Sequence, residues 1–537
     1  MELGNVNEKV SEILSAIADF LEMKGENVYR VMAFRKAART IAGLPRRIES
    51  KEDVIVLPGI GKAIGDIVDE ILRRGTSSLY EELIEEIPEG VREFLQIQGV
   101  GPKTAFSIYK STGASSLEEL YELISTGRLK GTGNIKEKTI EKIYSGIEKA
   151  MEKKKLLRLD QGYTIYTAVK DMLKNIPYVE DITLVGGLRR GKEINSDADI
   201  LIASKEEERL KAIIDNMDSK IDIKIVPPEM FPYYTFLYTG NNIHTKRIEE
   251  MIRDKRIFNS EEEIYHTIDL QYVPPELREG IGEIELASEY NLPALISPSD
   301  IKGDLHIHSL WSDGTANIID MASACIKRGY RYMAITDHSA SLKVAGGLSP
   351  EDIREQHREL ELIRDKLDGF TILKGIEADI LPDGTLDMPE EILKSLDIVI
   401  ASVHTKFRME EKEMTERILK AISNPYVNIL AHPTGRILLE RDPYKVDIEK
   451  ILKFAGERGI VMEINSSPER LDLNETLIRE GKRLGVKFAI NTDAHSTNHL
   501  ENISYGVITA RRGWLEAKDT VNTYSINDLF NVIGRRL

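Results

Sequence analysis

The sequence has 537 residues, which is too long for one hydrophobic core, and the usual domain size predicts three or four domains. Hydrophobic residues make up 41% and charged residues 30%, proportions that exclude a disordered or fibrous protein. The net charge of −16 argues against a uniformly positive nucleic-acid-binding surface, although backbone amides can still bind phosphate locally. The single cysteine, Cys325, excludes an internal disulfide and a thiolate metal cluster.

No segment of the sequence predicts export or membrane insertion. The first residues, MELGNVNEKVSEIL, lack a basic stretch followed by an apolar run. No later segment approaches the ~18 consecutive apolar residues that a membrane-spanning helix needs. We therefore expect a cytoplasmic protein that does not bind membranes.

Residues 1 to about 155 show the apolar spacing of helices, for example in VNEKVSEILSAIADFLEM. Two segments in this region, LPGIGKAIGDIVDEIL (57–72) and IQGVGPKTAFSIY (97–109), place a Gly-x-Gly turn between two predicted helices. Amides at the start of the second helix can face a DNA phosphate, although a single hairpin is often only a packing element. The predicted DNA contacts are Gly59, Gly61, Gly99, Gly101 and Lys103.

From about 158 to 245 the pattern changes to β-rich runs with helical stretches between them. Asp197 and Asp199 alternate along one predicted strand, so both face the same side, and Asp222 can come from an adjacent strand. Three convergent carboxylates predict a site for two Mg²⁺ ions that catalyses nucleotidyl transfer. The alternative is an acidic pair on an exposed strand face.

The neighbouring turn, GGLRRG, supports the first interpretation, because glycines beside arginines offer backbone donors and cations to phosphate. The segment YTGNNIHTKR (238–247) follows at a loop-like spacing. The predicted nucleotide-binding residues are Gly186, Gly187, Arg190, Tyr238 and Gly240.

Residues 300 to 537 alternate short apolar strands with helical stretches, which favours a parallel sheet closed into a barrel. Six of the ten histidines and three acidic residues lie at or near the strand ends, where functional groups of such barrels gather. Imidazole and carboxylate groups suit Zn, Mn or Fe, and this set can hold two or three ions for phosphoester hydrolysis. The predicted ligands are His306, His308, Asp313, His338, Glu377, His404, His432, Asp493 and His495. His244, His266, His357 and His499 lack this context and are predicted to be structural or surface residues.

The C-terminal ligand set closely resembles the PHP family, the polymerase and histidinol phosphatase superfamily, over almost all of residues 300–500. That resemblance implies a distorted seven-stranded barrel, a trinuclear metal site and phosphoesterase activity. The central turn and carboxylates resemble the palm and thumb of a family X DNA polymerase, similar to DNA polymerase beta. Together the segments resemble bacterial and archaeal family X polymerases.

These resemblances imply a multidomain α+β and α/β protein. It has a helical N-terminal region with helix-hairpin-helix motifs, a nucleotidyltransferase palm and thumb, and a C-terminal distorted (β/α)7 PHP barrel. The expected domains are a lyase-like DNA-binding domain at 1–85, fingers at 86–156, the palm at 157–245, the thumb at 246–298 and the PHP domain at 299–537.

The palm departs from the family pattern at three positions. Gly187 replaces a Ser that meets the incoming triphosphate, Thr245 aligns with an Asn that reads the minor groove, and Glu249 replaces a template-side Arg. The three carboxylates are retained, so we expect residual synthesis without high efficiency or fidelity.

The lyase-like region departs as well. The Schiff-base Lys of the family is Ile67 here, and the nearby phosphate-binding Lys is Ala63. We expect DNA binding without deoxyribose-phosphate lyase activity, with Lys62 as the candidate substitute.

The leading hypothesis is a monomeric repair polymerase that fills gapped or nicked DNA with dNTPs while its PHP site, with two or three Zn²⁺ or Mn²⁺ ions, trims 3′ ends. In this hypothesis Arg190 contacts the triphosphate. The first alternative is a repair nuclease or 3′-phosphoesterase whose polymerase activity is weak or lost. The second is a small-molecule phosphatase of the histidinol-phosphate type.

Overall fold

The computed structural model describes residues 6–42, 44, 48–57, 60–97, 100–126, 137–214, 217–252, 257–364 and 366–534. The chain divides into two compact units, Met1–Lys155 and Leu156–Leu537. Among the described residues, no helix combines the length and apolar character needed to span a membrane.

The first unit is built from helices, as the apolar spacing predicts. The first of them buries Val10, Leu14 and Ile17, which recur every three or four residues and therefore share one face. Its helices are α1 (Val6–Met23), α2 (Val28–Ala42), α3 (Glu52–Ile55), α4 (Lys62–Arg74), α5 (Ser78–Glu86), α6 (Pro102–Thr112), α7 (Leu117–Ser125) and α8 (Glu137–Lys154), with a 3-10 helix at Glu89–Gln96.

Each predicted Gly-x-Gly segment leads into a helix of this unit. Gly61 caps the start of α4, and Gly101 caps the start of α6, where Pro102 occupies the first turn. A Cβ added at Gly61 or Gly101 would meet no heavy atom within 4 Å, so both turns face open space. Gly59 and Gly99 lie outside the described residues.

The second unit begins with a small mixed sheet. Strand β2 (Asp181–Leu184) pairs antiparallel with β4 (Ala198–Ala203), which pairs parallel with β5 (Ile221–Val226), and β1 (Leu157–Arg158) pairs with β3 (Ile194–Asn195). The helices of this sheet are α9 (Leu159–Leu173), α10 (Gly186–Arg189) and α11 (Glu207–Ile214).

Four helices follow the sheet: α12 (Phe231–Thr239), α13 (Asn242–Met251), α14 (Glu261–Thr267) and α15 (Glu283–Ser288). The spacing of the segment YTGNNIHTKR suggested a loop, but most of its residues belong to helices. Tyr238 and Thr239 end α12, and the Asn241 side chain caps α13 by accepting from the Ile243 amide. Gly240 and the capping Asn241 are the two residues between these helices, and the mixture of Gly and Asn obscured the helix ends in the sequence.

The C-terminal part is the predicted parallel barrel. Its seven strands run in spatial order from β12 to β6, and a parallel bridge between Ile307 and Ala494 joins the first and last strands. The strands are β6 (Gly303–Ile307), β7 (Tyr332–Ile335), β8 (Thr371–Asp379), β9 (Ile398–Ser402), β10 (Ile429–Leu430), β11 (Val461–Asn465) and β12 (Phe488–Asn491).

Helices cover this barrel, and they alternate with the strands along the chain. The strands are buried on both faces, which explains their nearly continuous apolar runs. The helices are α16 (Ile318–Lys327), α17 (Pro350–Arg364), α18 (Glu390–Ser395), α19 (Glu411–Ile422), α20 (Ile448–Arg458), α21 (Glu475–Arg483), α22 (Ile503–Arg512) and α23 (Ile526–Val532).

Candidate functional sites

The nine predicted ligands of the barrel meet at the C-terminal ends of its strands. Eight of them fall into three groups whose ligand atoms lie within 4.8 Å of one another. The groups are His308, Asp313, His338 and His495; His306, His308 and Asp493; and His338, Glu377 and His404. The ninth residue, His432, places Nε2 2.9 Å from Glu377 Oε1. We call these nine residues the PHP ring.

Two pairs of the ring lie at strand ends, with only part of them on the strands themselves. His306 lies on β6, but His308 comes just after that strand, and Asp493 and His495 follow the end of β12. Asp493 has a φ of 54° and His432 a φ of 28°, so both occupy positive-φ backbone that non-glycine residues rarely adopt. The strand ends thus place the chain at the site, and the positive-φ backbone at Asp493 and His432 orients those two side chains.

The atoms of the ring fit metal ions. Several buried nitrogen and oxygen atoms in it have no hydrogen-bond partner among the described residues: His306 Nε2, His308 Nδ1 and Nε2, His338 Nδ1, His432 Nδ1, Asp313 Oδ1 and Glu377 Oε2. Each buried polar atom without a partner costs about 1–3 kcal/mol, so such a concentration is strongly unfavourable unless cations bind there. The mixed nitrogen and oxygen donors suit Zn²⁺ or Mn²⁺.

Electrostatics within the ring also favour bound cations. Burial opposes a charged imidazole at His306, but the carboxylates of Glu463, Asp493 and Glu377 outweigh it and raise its pKa well above the ordinary value. At His308, burial and the neighbouring imidazoles instead lower the pKa to about 4. A neutral His308 keeps a lone pair available for coordination.

Glu463 is a functional residue that the pattern of histidines did not reveal. It lies on β11, where Oε1 accepts from His306 Nδ1 at 2.7 Å and Oε2 accepts from the His432 amide at 2.8 Å. The first contact fixes the tautomer of His306 and leaves Nε2 free to coordinate. The sequence contained a signal, because Glu463 interrupts the apolar run VMEIN at a position that a buried strand reserves for apolar residues.

His499, predicted to be a structural or surface residue, contacts the backbone of the ring. Its Nδ1 accepts from the His495 amide at 3.3 Å, and the two rings lie 6.5 Å apart. His244 has the structural environment that was predicted, since it is buried between Glu283 and the Tyr265 hydroxyl.

The three central aspartates also meet in space. Asp199 and Asp222 are opposite each other in the parallel pairing of β4 and β5, and Asp197 immediately precedes β4. Burial raises the pKa of Asp199 to about 6, and Asp197 and Asp222 act in the same direction. The mutual repulsion is what a divalent cation relieves, and oxygen ligands of this kind suit Mg²⁺.

Lys224 currently neutralises part of this repulsion. Its Nζ contacts Asp222 and lies 3.9 Å from Asp199 Oδ1, with the Tyr238 ring 5.3 Å away. Tyr238, one of the predicted nucleotide-binding residues, is thereby placed beside the carboxylates.

Gly186 lets the turn approach the carboxylates closely. Its φ is 63°, and a Cβ at this position would lie 1.8 Å from Asp199 Oδ2. At Gly187 a Cβ would lie 2.3 Å from Asn195 Oδ1, so the serine of the family pattern requires the Asn195 side chain to move.

Arg190, predicted to bind the nucleotide, has partners within the protein. Its Nε donates to Glu279 Oε1 at 2.9 Å and its Nη1 to the Thr239 carbonyl at 2.7 Å, which turns the guanidinium towards the helices after the sheet. Gly240 lies between those helices and is buried.

The other departing positions of the palm have local partners. Thr245 is buried, and its hydroxyl donates to the Asn241 carbonyl at 3.3 Å within its own helix. The Glu249 carboxylate accepts from the Tyr233 hydroxyl at 2.6 Å.

In the first unit, the predicted DNA-binding positions that the structure describes are solvent-facing. Gly61, Gly101 and Lys103 are exposed, as is Lys62 at the start of α4. Ile67, at the position of the family's nucleophilic lysine, packs against the hydrophobic core of the unit.

Comparison with known families agrees with these sites. The chain matches a helix-hairpin-helix domain at residues 5–77, a SAM-like helix-hairpin-helix tandem at 91–149, a nucleotidyltransferase domain at 163–272 and a PHP domain at 304–467. The PHP match ends before Asp493 and His495, which the fold nevertheless brings into the ring.

Individual relatives match either nearly the whole chain or about a third of it. The chain is 34% identical to the DNA polymerase/3'-5' exonuclease PolX of Bacillus subtilis (strain 168), over 97% of this chain and 98% of the relative. Two probable phosphatases, from Thermoanaerobacter sp. (strain X514) and Caldanaerobacter subterraneus, are 38% and 36% identical to this chain. Each alignment covers 36% of this chain, and the two alignments cover 78% and 75% of the relatives.

Fold and sites together define a protein that joins helix-hairpin-helix domains, a nucleotidyltransferase and a PHP barrel. Because the similarity to the Bacillus protein spans nearly the whole of both chains, this chain belongs to the PolX family of family X DNA polymerases. The resemblance inferred from the motifs is thereby confirmed.

Proposed function

We propose that this protein is a DNA-dependent repair polymerase that fills gaps with its palm and trims 3′ ends with its PHP ring. The observation that carries the proposal is that one chain holds two separate groups of candidate metal ligands and is 34% identical to PolX of Bacillus subtilis over 97% of its length. The proposed substrates are dNTPs and gapped or nicked DNA, and the proposed form is a monomer.

The palm residues have distinct proposed roles. Asp197, Asp199 and Asp222 would hold Mg²⁺, which supplies activation of the primer 3′-hydroxyl and neutralisation of the triphosphate. Gly186 lets the backbone of the turn approach Asp199, and the Tyr238 ring lies 5.3 Å from Lys224 Nζ. Lys224 must leave Asp222 when cations bind, because the ammonium and the metal compete for the same oxygen.

The PHP ring has the roles of a phosphoesterase. Its nine residues would hold two or three Zn²⁺ or Mn²⁺ ions, which lower the pKa of a water molecule and neutralise phosphoester oxygens. Glu463 holds His306 in one tautomer, and the His495 Nδ1 contact with the Asp493 carbonyl, at 2.8 Å, directs the opposite nitrogen of that ring inward.

The hairpins of the first unit are proposed to bind the DNA backbone. Exposed turns at Gly61 and Gly101, each opening a helix, present amides to solvent without a side chain in the way. Without a lysine at position 67, this unit is proposed to lack deoxyribose-phosphate lyase activity.

A second candidate function is a repair nuclease with weak polymerase activity. It is favoured by Gly187, which offers no hydroxyl to a triphosphate, and by Thr245, whose hydroxyl is bonded within its own helix. The probable phosphatases cover only 36% of this chain, so they support phosphoesterase chemistry and not a small-molecule substrate for the whole protein.

Primer extension on a one-nucleotide gap tests the proposal against this second candidate. The double variant Asp197→Ala with Asp199→Ala should lose gap filling by at least roughly 10³-fold, because the charge of the triphosphate loses its cations. The same variant should degrade a 3′ end at the wild-type rate, since the ring is untouched. Equal extension by wild type and variant would eliminate the polymerase proposal.

A further inference from the structure

A carboxylate shared by two arginines lies between the palm turn and the barrel. Glu279 Oε1 accepts from Arg190 Nε at 2.9 Å and from Arg512 Nη1 at 2.9 Å. Arg512 is the last residue of α22 in the barrel, whereas Glu279 lies just before α15. One oxygen therefore joins an arginine of the palm to an arginine of the barrel.

Arg512 also holds the backbone of the turn. Its Nη1 donates to the Arg190 carbonyl at 2.8 Å, and its Nη2 donates to Glu475 Oε1 at 2.8 Å. The Arg512 and Arg190 side chains are only 4% and 10% exposed. Water and salt therefore screen these contacts weakly.

The charges in this group are matched only when Arg512 is present. Two arginines, Arg190 and Arg512, face two glutamates, Glu279 and Glu475. Burial disfavours the charged form of Glu279, but the two arginines outweigh it and lower its pKa. Without Arg512, Glu279 would keep Arg190 and the Asn241 amide, which donates to its Oε2 at 3.3 Å, and the four charged groups would be left with an unmatched negative charge beside the turn.

We propose that Arg512 is a positioning residue of the polymerase site: by sharing Glu279 with Arg190, it leaves Arg190 able to bind the phosphates of an incoming nucleotide. This inference rests on the proposed function of the palm. It gives the barrel a second role, because a residue outside the PHP ring sets the nucleotide affinity of the palm.

Steady-state gap filling by full-length Arg512→Ala tests the inference. We expect the KM for the dNTP to rise on the order of tenfold, with kcat changed much less, because the loss falls on nucleotide binding. The 3′-end degradation rate should match wild type, which shows that the barrel carrying Arg512 is folded.

Arg511→Ala is the matched control. Arg511 also joins the barrel to the helical segment after the palm, through Nε to Glu276 at 2.7 Å and Nη1 to the Ile296 carbonyl at 2.9 Å. No hydrogen bond described for it reaches Arg190. Its variant should keep the wild-type KM.

Glu279→Gln separates positioning from a merely structural role. Removing this carboxylate charge frees Arg190, so the single variant should lower the KM, and it should restore the KM when added to Arg512→Ala. A structural role predicts the opposite, because each substitution removes another contact. Should Arg512→Ala fail to fold, the direction of the Glu279→Gln change still decides.

Three outcomes would overturn the inference. They are an unchanged KM in folded Arg512→Ala, a similar rise in Arg511→Ala, and a raised KM in Glu279→Gln. Wild-type protein that incorporates no nucleotide would instead contradict the proposed palm function itself, and the inference with it.

Discussion

The palm aspartates and the PHP ring are two candidate metal sites of opposite construction. Asp199 and Asp222 have side chains 26% and 46% exposed, whereas His306 and Glu377 are 0% and 1% exposed. Lys224 neutralises part of the charge of the palm carboxylates, but several buried imidazole nitrogens of the ring have no hydrogen-bond partner among the described residues. The palm carboxylates therefore have a cation of the protein beside them, while the buried nitrogens of the ring are suited to bound metal.

This difference agrees with the chemistry proposed for each site. A nucleotide brings its own cation, so a site that opens to solvent and exchanges Lys224 for Mg²⁺ suits turnover. A hydrolytic site must keep its cations between substrates, so buried ligands with fixed tautomers suit retention.

The largest expected effect comes from removing the central carboxylate of the ring. Glu377 lies within 4 Å of five ring histidines, so Glu377→Gln should lower 3′-end degradation by roughly 10²- to 10³-fold and reduce bound metal. Gap filling should remain at the wild-type level. Metal content is measured by elemental analysis, with His266→Ala, an exposed histidine, as the control. Full metal content in the Glu377 variant would contradict the assignment of the ring.

Removal of metal with a chelator should distinguish the two sites by its effect on the free energy of unfolding. Adding Mn²⁺ or Zn²⁺ back at about 100 times its Kd should stabilise the folded state by about 2.7 kcal/mol, since cations partner the buried atoms of the ring. Thermal unfolding of chelated and metal-loaded protein measures this difference. The Asp197→Ala with Asp199→Ala variant should retain all of it, and Glu377→Gln should lose most of it. Equal shifts in both variants would remove the distinction between the sites.

The sequence predicted the ligands because each has a local signal. Every one of the nine lies close to an apolar strand, and the barrel brings strand ends together wherever they occur in the chain. The pairing of Asp199 with Asp222 was predictable for the same reason, as both belong to short apolar strands of period two.

Contacts between distant segments were not predictable in this way. Arg190 and Glu279 are 89 residues apart, and Glu279 and Arg512 are 233 apart, so no periodicity relates them. Arg190 was assigned to the triphosphate because its turn resembles a phosphate site, but a carboxylate from a later segment competes for the guanidinium. Glu463 was overlooked because a lone acid in a strand is visible only once the strand is known to be buried.

A smaller effect is expected from the contacts that orient the ring. Glu463→Gln retains the shape of the side chain but weakens its hold on His306 Nδ1, so 3′-end degradation should fall by about 10- to 100-fold. The loss should be partly recovered at high metal concentration, because the substitution weakens metal affinity. Glu359→Gln, which changes a carboxylate bonded to the Trp311 indole, serves as the control and should change little. A Glu463 variant with wild-type activity at limiting metal would show that His306 needs no orienting partner.

The smallest effect concerns the glycine that departs from the palm pattern. Gly187→Ser alone should not improve gap filling, because its Cβ would meet Asn195 Oδ1 at 2.3 Å. With Asn195→Ala added, the hydroxyl has room to donate to a triphosphate oxygen. One such hydrogen bond contributes about 0.5–1.5 kcal/mol, so the KM for the dNTP should fall roughly 2- to 12-fold. Asn195→Ala by itself is the control, since it opens the space without supplying a donor. If the double variant bound nucleotide no better than this control, the missing hydroxyl would not be what limits the palm, and the Arg190 contact with Glu279 would become the principal cause.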